Sequence, residues 1–424
     1  MRFRFAHAAH PDWSVAVSSC VGQFHEQARD ERYMRSANLG FLYISENLVQ
    51  HAEQILETLR ARTGVPSWVG ATGIGICATG TEYVNEPALS VMLAKFAPGQ
   101  VNVFSGTQRP PALGARTEAG ADAAYTALVH ADPAAIDMPD LIKDMAGRVA
   151  SGYVFGGLAS SRPDGGRCAL VADRVLSGGL SGVVFASDVG LASRVSQGVF
   201  PLGSRASRSA QHRVTRAQKN IIVELDHRSA LDVLLEDAGI RERADADIAA
   251  AAAASSGVPR LLAAQERTRL QELGRRGLFV GIEPDHSDGY RERTPRADYV
   301  VRHVVALDPR ARTVSVAAPI ELNQMLSYCT RDETAARRDL IRICSELREH
   351  LHERAEASGG AVEARGAIYV SCVGRGCHMF GEQSEELRVI QSQLGDVPLV
   401  GFYASGEIGG SNLYGFTGVL TVFY

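Results

Sequence analysis

A turn near the C-terminal end of the chain holds the side chains best suited to bind a charged ligand. Residues 371–378 follow a predicted strand and place Arg375 between two glycines, with Cys372 just before them. Backbone N–H groups in such a turn can line up as a nest for an anion, and the planar guanidinium of arginine matches a carboxylate. The pattern predicts a pocket for an anionic head group. The alternative is that Arg375 only bonds carbonyl oxygens of its own loop.

A second candidate is the glycine-rich turn of Ser405, Gly406 and Glu407. Two short runs rich in apolar, aromatic and β-branched residues flank this turn, which is typical of paired buried strands. A carboxylate at the rim of a buried sheet must find a cation, a hydrogen-bond donor or water. We therefore expect Glu407 to hold the ammonium group of a ligand, with Ser405 and Gly406 beside it. The alternative is a solvated turn carboxylate.

A third candidate is the pair Arg331 and Asp332, directly before a predicted amphipathic helix. In this interpretation Arg331 assists Arg375 with the anionic end of the ligand. The alternative gives the pair a structural role, because an aspartate suits the N-terminus of a helix and the arginine completes a local ion pair.

The sequence lacks the motifs of common cofactor and metal sites. No Gly-Lys pair occurs, which excludes a Walker phosphate loop. Cys372, Cys377 and His378 offer soft ligands, but their spacing matches no zinc site. The sequence therefore predicts no cofactor, no metal, and ligand binding without catalysis. One alternative is an enzyme with Cys372 as a nucleophile activated by Arg375 or His378, since a thiolate needs a cationic setting. Another is a protein-interaction scaffold that has no pocket.

Composition narrows the classes of partner. The chain of 424 residues is 45% hydrophobic and 22% charged with a formal net charge of −4, which is average for a soluble protein and does not favour nucleic acid. No run approaches the roughly 20 apolar residues of a membrane span, and the first residues lack the apolar core of a signal peptide. Seven cysteines at irregular spacings indicate reduced thiols. We expect a cytoplasmic protein without a nucleic-acid or membrane partner.

Internal similarity predicts the fold class. The strand Gly40–Ser45 resembles Gly366–Ser371, and the glycine-rich blocks at 65–93, 153–186 and 397–424 resemble one another. The repeated unit reads as strand, helix, strand, glycine turn and strand. Because self-similarity limits architecture more than any single motif does, we expect an α+β fold in which these units form packed sheets covered by helices.

A composition shift predicts two domains. Residues 1–35 are expected to be a lead-in segment with a short helix near 14–29, and 36–243 to form the first domain. Residues 244–257 include six consecutive alanines and have little to bury, so they are expected to be a linker. The second domain is expected at 258–424.

The motifs above resemble those of the FIST domain family, in both its N-terminal and C-terminal parts. The resemblance covers about residues 36 to 424 and is carried by Gly70-Ala71-Thr72-Gly73, Phe155-Gly156-Gly157-Leu158-Ala159-Ser160, Val199–Gly203, Glu224-Leu225-Asp226, Arg331-Asp332, Ser371–Gly376 and Gly401–Gly409. It implies an intracellular sensory module that binds amino acids or similar small metabolites and passes the signal to partners. Since no kinase, receiver, cyclase or F-box segment is recognised, we expect the output to pass through a separate signalling protein.

Two departures from the family pattern concern specificity. The family usually has an aromatic residue and a histidine before Arg-Asp, where this chain has Tyr328 and Cys329. The glycine expected after Asp226 is His227. If the family histidine helps to bind the ligand, specificity has moved in this chain.

Overall fold

The protein divides into two compact units. The computed structural model describes residues 2–27, 36–106, 108–163, 166–202, 211–240, 264–283 and 299–424. The first unit combines Met1–Gly198 with Glu333–Tyr424, and the second unit is Val199–Asp332. The first unit is thus built from two separate stretches of the chain, and no single boundary in the sequence divides the two units. The predicted linker at 244–257 lies outside the described residues, and the predicted domain limits stay a prediction.

Helices occur in both units. The described helices are α1 (Trp13–Gln27), α2 (Ala52–Thr63, after a 3₁₀ turn at Glu46–His51), α3 (Met138–Ala146), α4 (Ala230–Asp237), α5 (Ala264–Arg276), α6 (Glu333–Ser358), α7 (Cys377–Phe380) and α8 (Glu385–Leu394).

The strands of the first half are β1 (Arg4–Ala9), β2 (Leu39–Ser45), β3 (Ser67–Gly73), β4 (Gly75–Ala78), β5 (Thr81–Val84), β6 (Ala88–Ala94), β7 (Val101–Phe104), β8 (Thr126–Ala131), β9 (Val154–Leu158), β10 (Leu170–Ala172), β11 (Val175–Leu176), β12 (Leu180–Phe185) and β13 (Leu191–Gln197). Those that follow are β14 (Val199–Pro201), β15 (His212–Gln218), β16 (Ile221–Leu225), β17 (Arg228–Ser229), β18 (Leu278–Ile282), β19 (Val300–Asp308), β20 (Thr313–Val316), β21 (Met325–Arg331), β22 (Gly366–Cys372), β23 (Leu399–Ala404), β24 (Glu407–Gly410), β25 (Asn412–Tyr414) and β26 (Thr417–Phe423).

The described part of the first unit contains three six-stranded sheets with one pattern. Sheet A has the order β1-β6-β2-β3-β10-β11, sheet B the order β13-β26-β22-β23-β4-β5, and sheet C the order β7-β12-β8-β9-β24-β25. In each sheet the two central strands are parallel and every other neighbouring pair is antiparallel. The sequence repeats thus correspond to three copies of one sheet, as the internal similarity predicts.

The repeats exchange hairpins in a cycle. The first repeat contributes β4–β5 to sheet B, the second contributes β10–β11 to sheet A, and the third contributes β24–β25 to sheet C. Each sheet is therefore completed by a hairpin that belongs to another repeat.

One glycine recurs at the same place in each parallel pair. Gly70 lies opposite Leu42 in sheet A and Gly401 opposite Tyr369 in sheet B. A Cβ atom on either glycine would lie 1.7 Å from the facing carbonyl oxygen, and one on Gly156 of sheet C would lie 1.9 Å from the oxygen of Val129. The close approach of the two parallel backbones requires glycine at all three positions.

The three sheets surround one apolar core. Its members include Phe41 from sheet A, Phe155 from sheet C and Phe402 from sheet B, all buried. Helices α1 and α2 cover the other face of sheet A, and α3 covers that of sheet C. Burial of apolar side chains on both faces is what stabilises these sheets.

Six of the described strands of the second unit pair into a closed ring. Antiparallel neighbours follow the order β21-β15-β16-β20-β19-β18, and β18 pairs again with β21. Strands β19 and β20 form an antiparallel hairpin around Asp308 and Pro309. The strand β1 was not predicted; its pairing with β6 makes residues 4–9 part of sheet A.

Candidate functional site

Arg375 is completely buried and engaged within the protein. Its Nε donates to Oε1 of Glu386 at 2.7 Å, and neither side chain is exposed. Its two terminal nitrogens donate to the oxygens of Ser196 and to the carbonyl of Phe416 at 3.3 to 3.5 Å. The guanidinium also lies over the Phe380 ring, 5.2 Å from its centroid. The turn arginine thus bonds carbonyl oxygens and, in addition, a carboxylate of the same chain.

Glu386 is the anion that pairs with Arg375 in this structure. Besides Arg375, its carboxylate accepts hydrogen bonds from the Tyr369 hydroxyl at 2.6 Å and from Ser371 Oγ and the Gly376 N–H, both at 3.1 Å. A buried carboxylate with a cation and three further donors is fully satisfied. A carboxylate of the protein itself therefore pairs with Arg375 in this structure, held by one backbone N–H group and three side chains.

Glu407 is buried but only half satisfied. One carboxyl oxygen, Oε2, accepts the N–H of Thr417 at 3.1 Å and its hydroxyl at 2.8 Å. The other, Oε1, has no hydrogen-bond partner among the described residues. Burial raises the pKa of Glu407 to about 8, against the lowering effects of the two Thr417 bonds, of the Cys372 thiol and of the Arg375 charge. A buried polar atom without a partner is uncommon and is typical of a site that something else completes.

Cys372 lies beside Glu407 at the end of β22. Burial, and then the neighbouring Glu407 carboxyl, raise the pKa of the Cys372 thiol well above its ordinary value. A reactive cysteine needs the opposite environment, which is cationic and partly exposed. The thiol is therefore protonated at neutral pH, and the structure gives the nucleophile alternative no support.

Gln197 faces the same place from the edge of sheet B. It lies directly opposite Thr417 in the register of β13 and β26, so both side chains point to one face of the sheet. The residue is 5% exposed, and within the described ranges neither Oε1 nor Nε2 of its carboxamide has a hydrogen-bond partner. Glu407 and Gln197 thus flank Thr417, and each has a buried polar atom without a partner.

The first repeat shows what the fold itself requires at these positions. Counting from the parallel pairs, the residues equivalent to Gln197, Cys372, Glu407 and Thr417 are Ala9, Ser45, Ile76 and Ala88. In the second repeat, Leu170 takes the position of Glu407. Since Ile76 and Leu170 both belong to the central core, the fold does not need a carboxyl group there.

Four predicted site residues remain, two beside Glu407 in the sequence and two in the second unit. Ser405 is exposed and Gly406 is buried next to Glu407; their backbones pair with Leu158. Arg331 and Asp332 belong to the second unit, where Arg331 lies 5.9 Å from the centroid of the Phe279 ring. Cys372, Arg375 and Glu407 therefore belong to the first unit, and Arg331 and Asp332 belong to the second.

Sequence reasoning missed Glu386, Gln197, Thr417 and a second buried carboxyl, Glu82. The Tyr403 hydroxyl donates to Oε2 of Glu82. The other carboxyl oxygen of Glu82, Oε1, has no hydrogen-bond partner in the part of the chain that the structure describes. An alignment of the three repeats would have indicated Glu407, because the other two repeats have the buried apolar residues Ile76 and Leu170 at its position.

Neither a metal cluster nor a membrane helix is found in the described ranges. No group of three or more histidine, cysteine, aspartate or glutamate side chains there could hold a metal ion. No described helix is both long and apolar enough to cross a membrane. All seven cysteines are free thiols.

Comparison with known proteins identifies the family. A family model described as the FIST N domain matches residues 38–228, and one described as the FIST C domain matches residues 230–410. One similar protein is the "Uncharacterized protein Rv0628c" of Mycobacterium tuberculosis, which is 29% identical over 434 positions; the match covers the full length of both chains. The "Uncharacterized protein Mb0898c" of Mycobacterium bovis is 27% identical over all of this chain and 99% of its own. With both models together spanning most of its length, the chain belongs to the FIST family, whose domains are generally considered small-ligand-binding sensory domains.

Proposed function

We propose that this protein is a noncatalytic sensor whose first unit binds a small amine-bearing metabolite, an amino acid or a related compound, through Glu407. The signal would then pass to a separate protein. Seven free thiols are consistent with a reducing, cytoplasmic setting.

The partnerless oxygen of Glu407 is the observation that carries this proposal. Oε1 is fully buried, and Thr417 satisfies only the other oxygen. A protonated amine placed at Oε1 would supply both a donor and a positive charge, and charge-assisted hydrogen bonds are stronger than neutral ones. An ammonium ion therefore matches what the carboxyl group lacks.

Arg375 has a different role in this proposal from the one that its sequence context suggests. Its guanidinium is committed to Glu386, Ser196 and Phe416, and the Glu386 pair holds the turn that carries Cys372. Arg375 thus positions the wall of the site, while Glu407 binds the ligand. Electrostatically, Arg375 also favours the ionised form of Glu407.

Thermal unfolding with a panel of amines and amino acids tests the proposal. A ligand that binds only the folded state at 100 times its Kd adds about 2.7 kcal/mol, which is a shift in Tm of about 5 °C for a unit of this size. Glu407→Gln keeps the shape of the side chain and removes its charge, so it should abolish the shift.

Glu82→Gln is the matched control. Glu82 is also a buried carboxyl with one partnerless oxygen among the described residues, and it should leave the ligand-induced shift intact. If no compound in the panel raises Tm, or if Glu407→Gln responds as the unmodified protein does, the proposal fails.

A further inference from the structure

We infer that Gln197 reads a second, uncharged polar group of the ligand, so that the site takes a small amine with a hydroxyl or carboxamide group in preference to one with a carboxylate. This inference rests on the proposed binding of an amine by Glu407 and narrows the class of ligand.

Gln197 is held so that its side chain meets the site. Its backbone N–H donates to Oδ2 of Asp339 on α6 at 2.7 Å, which fixes the end of β13. Its side chain shares one face of sheet B with Thr417, and Thr417 donates two hydrogen bonds to Glu407. Gln197 and Glu407 thus both adjoin Thr417, Gln197 by its register in sheet B and Glu407 by hydrogen bonds.

The carboxamide of Gln197 has a complete set of unused hydrogen-bonding groups. Among the described residues, neither its oxygen nor its nitrogen has a hydrogen-bond partner, although the residue is only 5% exposed. Leaving a buried amide unsatisfied costs free energy, and replacing it by an apolar residue would remove that cost. The equivalent residue of the first repeat, Ala9, is exposed, so burial of a polar group at this position is a feature of the third repeat.

The chemistry of these groups favours an uncharged ligand group. A hydroxyl or carboxamide can donate to the Gln197 oxygen and accept from its nitrogen at the same time. A carboxylate only accepts, so it would leave the Gln197 oxygen without a donor. It would also need a counter-ion when buried, and Arg375 already donates through all three guanidinium nitrogens to protein groups.

Thermal shifts with matched probes test this inference. Ethanolamine and glycinamide are compared with glycine and ethylamine, and 3-aminopropanol and β-alaninamide with β-alanine and propylamine. Each probe is tested on the unmodified protein, on Gln197→Leu, which is similar in size, and on Glu407→Gln.

We expect the hydroxyl and carboxamide probes to raise Tm more than the amino acid or alkylamine of equal length. Gln197→Leu should reduce their shift to that of the alkylamine, and Glu407→Gln should remove all shifts. Larger shifts for glycine or β-alanine, or shifts that Gln197→Leu leaves unchanged, would overturn the role of Gln197 while leaving amine binding in place. Shifts that survive Glu407→Gln, or no shift with any probe, would overturn the proposed function as well.

Discussion

Glu407 of the third repeat occupies the register position that Ile76 occupies in the first. Each pairs with the residue that follows the glycine of close backbone approach. Glu407 pairs with Gly157, which follows Gly156, and Ile76 pairs with Phe402, which follows Gly401. Ile76 packs into the core, whereas Glu407 places a carboxyl group there. The comparison of the repeats thus shows that the fold itself does not require a carboxyl group at this position.

The ion pair of Arg375 with Glu386 should dominate the stability of the C-terminal turn. Arg375→Ala leaves Glu386 buried without its cation, and breaking a buried pair typically costs about 3–5 kcal/mol. Denaturant unfolding should show this loss. The double variant Arg375→Met with Glu386→Leu removes both charges and should lose less than Arg375→Ala; a larger loss in the double variant would contradict this role of the pair.

Glu407→Gln should become relatively more stabilising as pH rises. Because burial raises the pKa of Glu407 to about 8, the folded state holds its proton where the unfolded chain has lost it. The stability that the protonated carboxyl allows is fully present below its ordinary pKa. It is lost as pH rises from that value through about 8. Cys372 and Arg375 are the titratable and charged groups that act on it.

The measurement is the difference in Tm between Glu407→Gln and the unmodified protein, without ligand, from pH 5 to 8.5. The difference should move in favour of the variant across this range. A constant difference would show that Glu407 does not titrate in the folded protein.

His212 should make the second unit more stable at low pH. Its ring bonds Asp237 at 3.1 Å and Asp226 at 2.7 Å, and the hydrogen bond to Asp237, followed by that to Asp226, raises the pKa of His212 against the effect of burial. A raised pKa means that the stabilisation is fully present below the ordinary value and is lost as pH rises through the folded value.

Comparison of His212→Gln with the unmodified protein tests this dependence. Amide hydrogen exchange of β15 and β16 should show a destabilisation that is largest near pH 5.5 and shrinks by pH 8. An effect that grows with pH would contradict a charged His212.

Gly401→Ala should prevent the first unit from folding. The added Cβ would lie 1.7 Å from the Tyr369 carbonyl oxygen, and neither backbone can move without breaking the parallel pair of β22 and β23. Gly360→Ala is the control, because nothing lies within 4 Å of its added Cβ. Near-UV circular dichroism of both variants provides the readout; a native spectrum for Gly401→Ala would contradict the close backbone approach.

The sequence was sufficient to predict the repeats and the place of Glu407 beside buried strands, because glycine-rich turns between apolar strands leave a local pattern. The cyclic exchange of hairpins could not be predicted, since β24 pairs with β9 about 250 residues earlier in the chain and no local pattern encodes that partner. A single residue of register decides which face Glu407 points to.

Glu386 and Gln197 were missed for different physical reasons. Glu386 lies in the first turn of α8, where an acidic residue usually reads as a solvated charge that favours the helix dipole. Only the tertiary fold brings Arg375 to it. Gln197 lies in a stretch without clear periodicity, and its burial follows from pairing with β26.

Proton release on binding tests the central claim about Glu407 most directly. Isothermal titration calorimetry at pH 6.5, in buffers of different ionisation enthalpy, should use the panel amine with the largest thermal shift. At this pH the raised pKa keeps Glu407 protonated, so an ammonium ion that pairs with its carboxylate must displace that proton. We expect release of about one proton per ligand bound by the unmodified protein and no detectable binding by Glu407→Gln. Binding without proton release, or equal binding by Glu407→Gln, would contradict it.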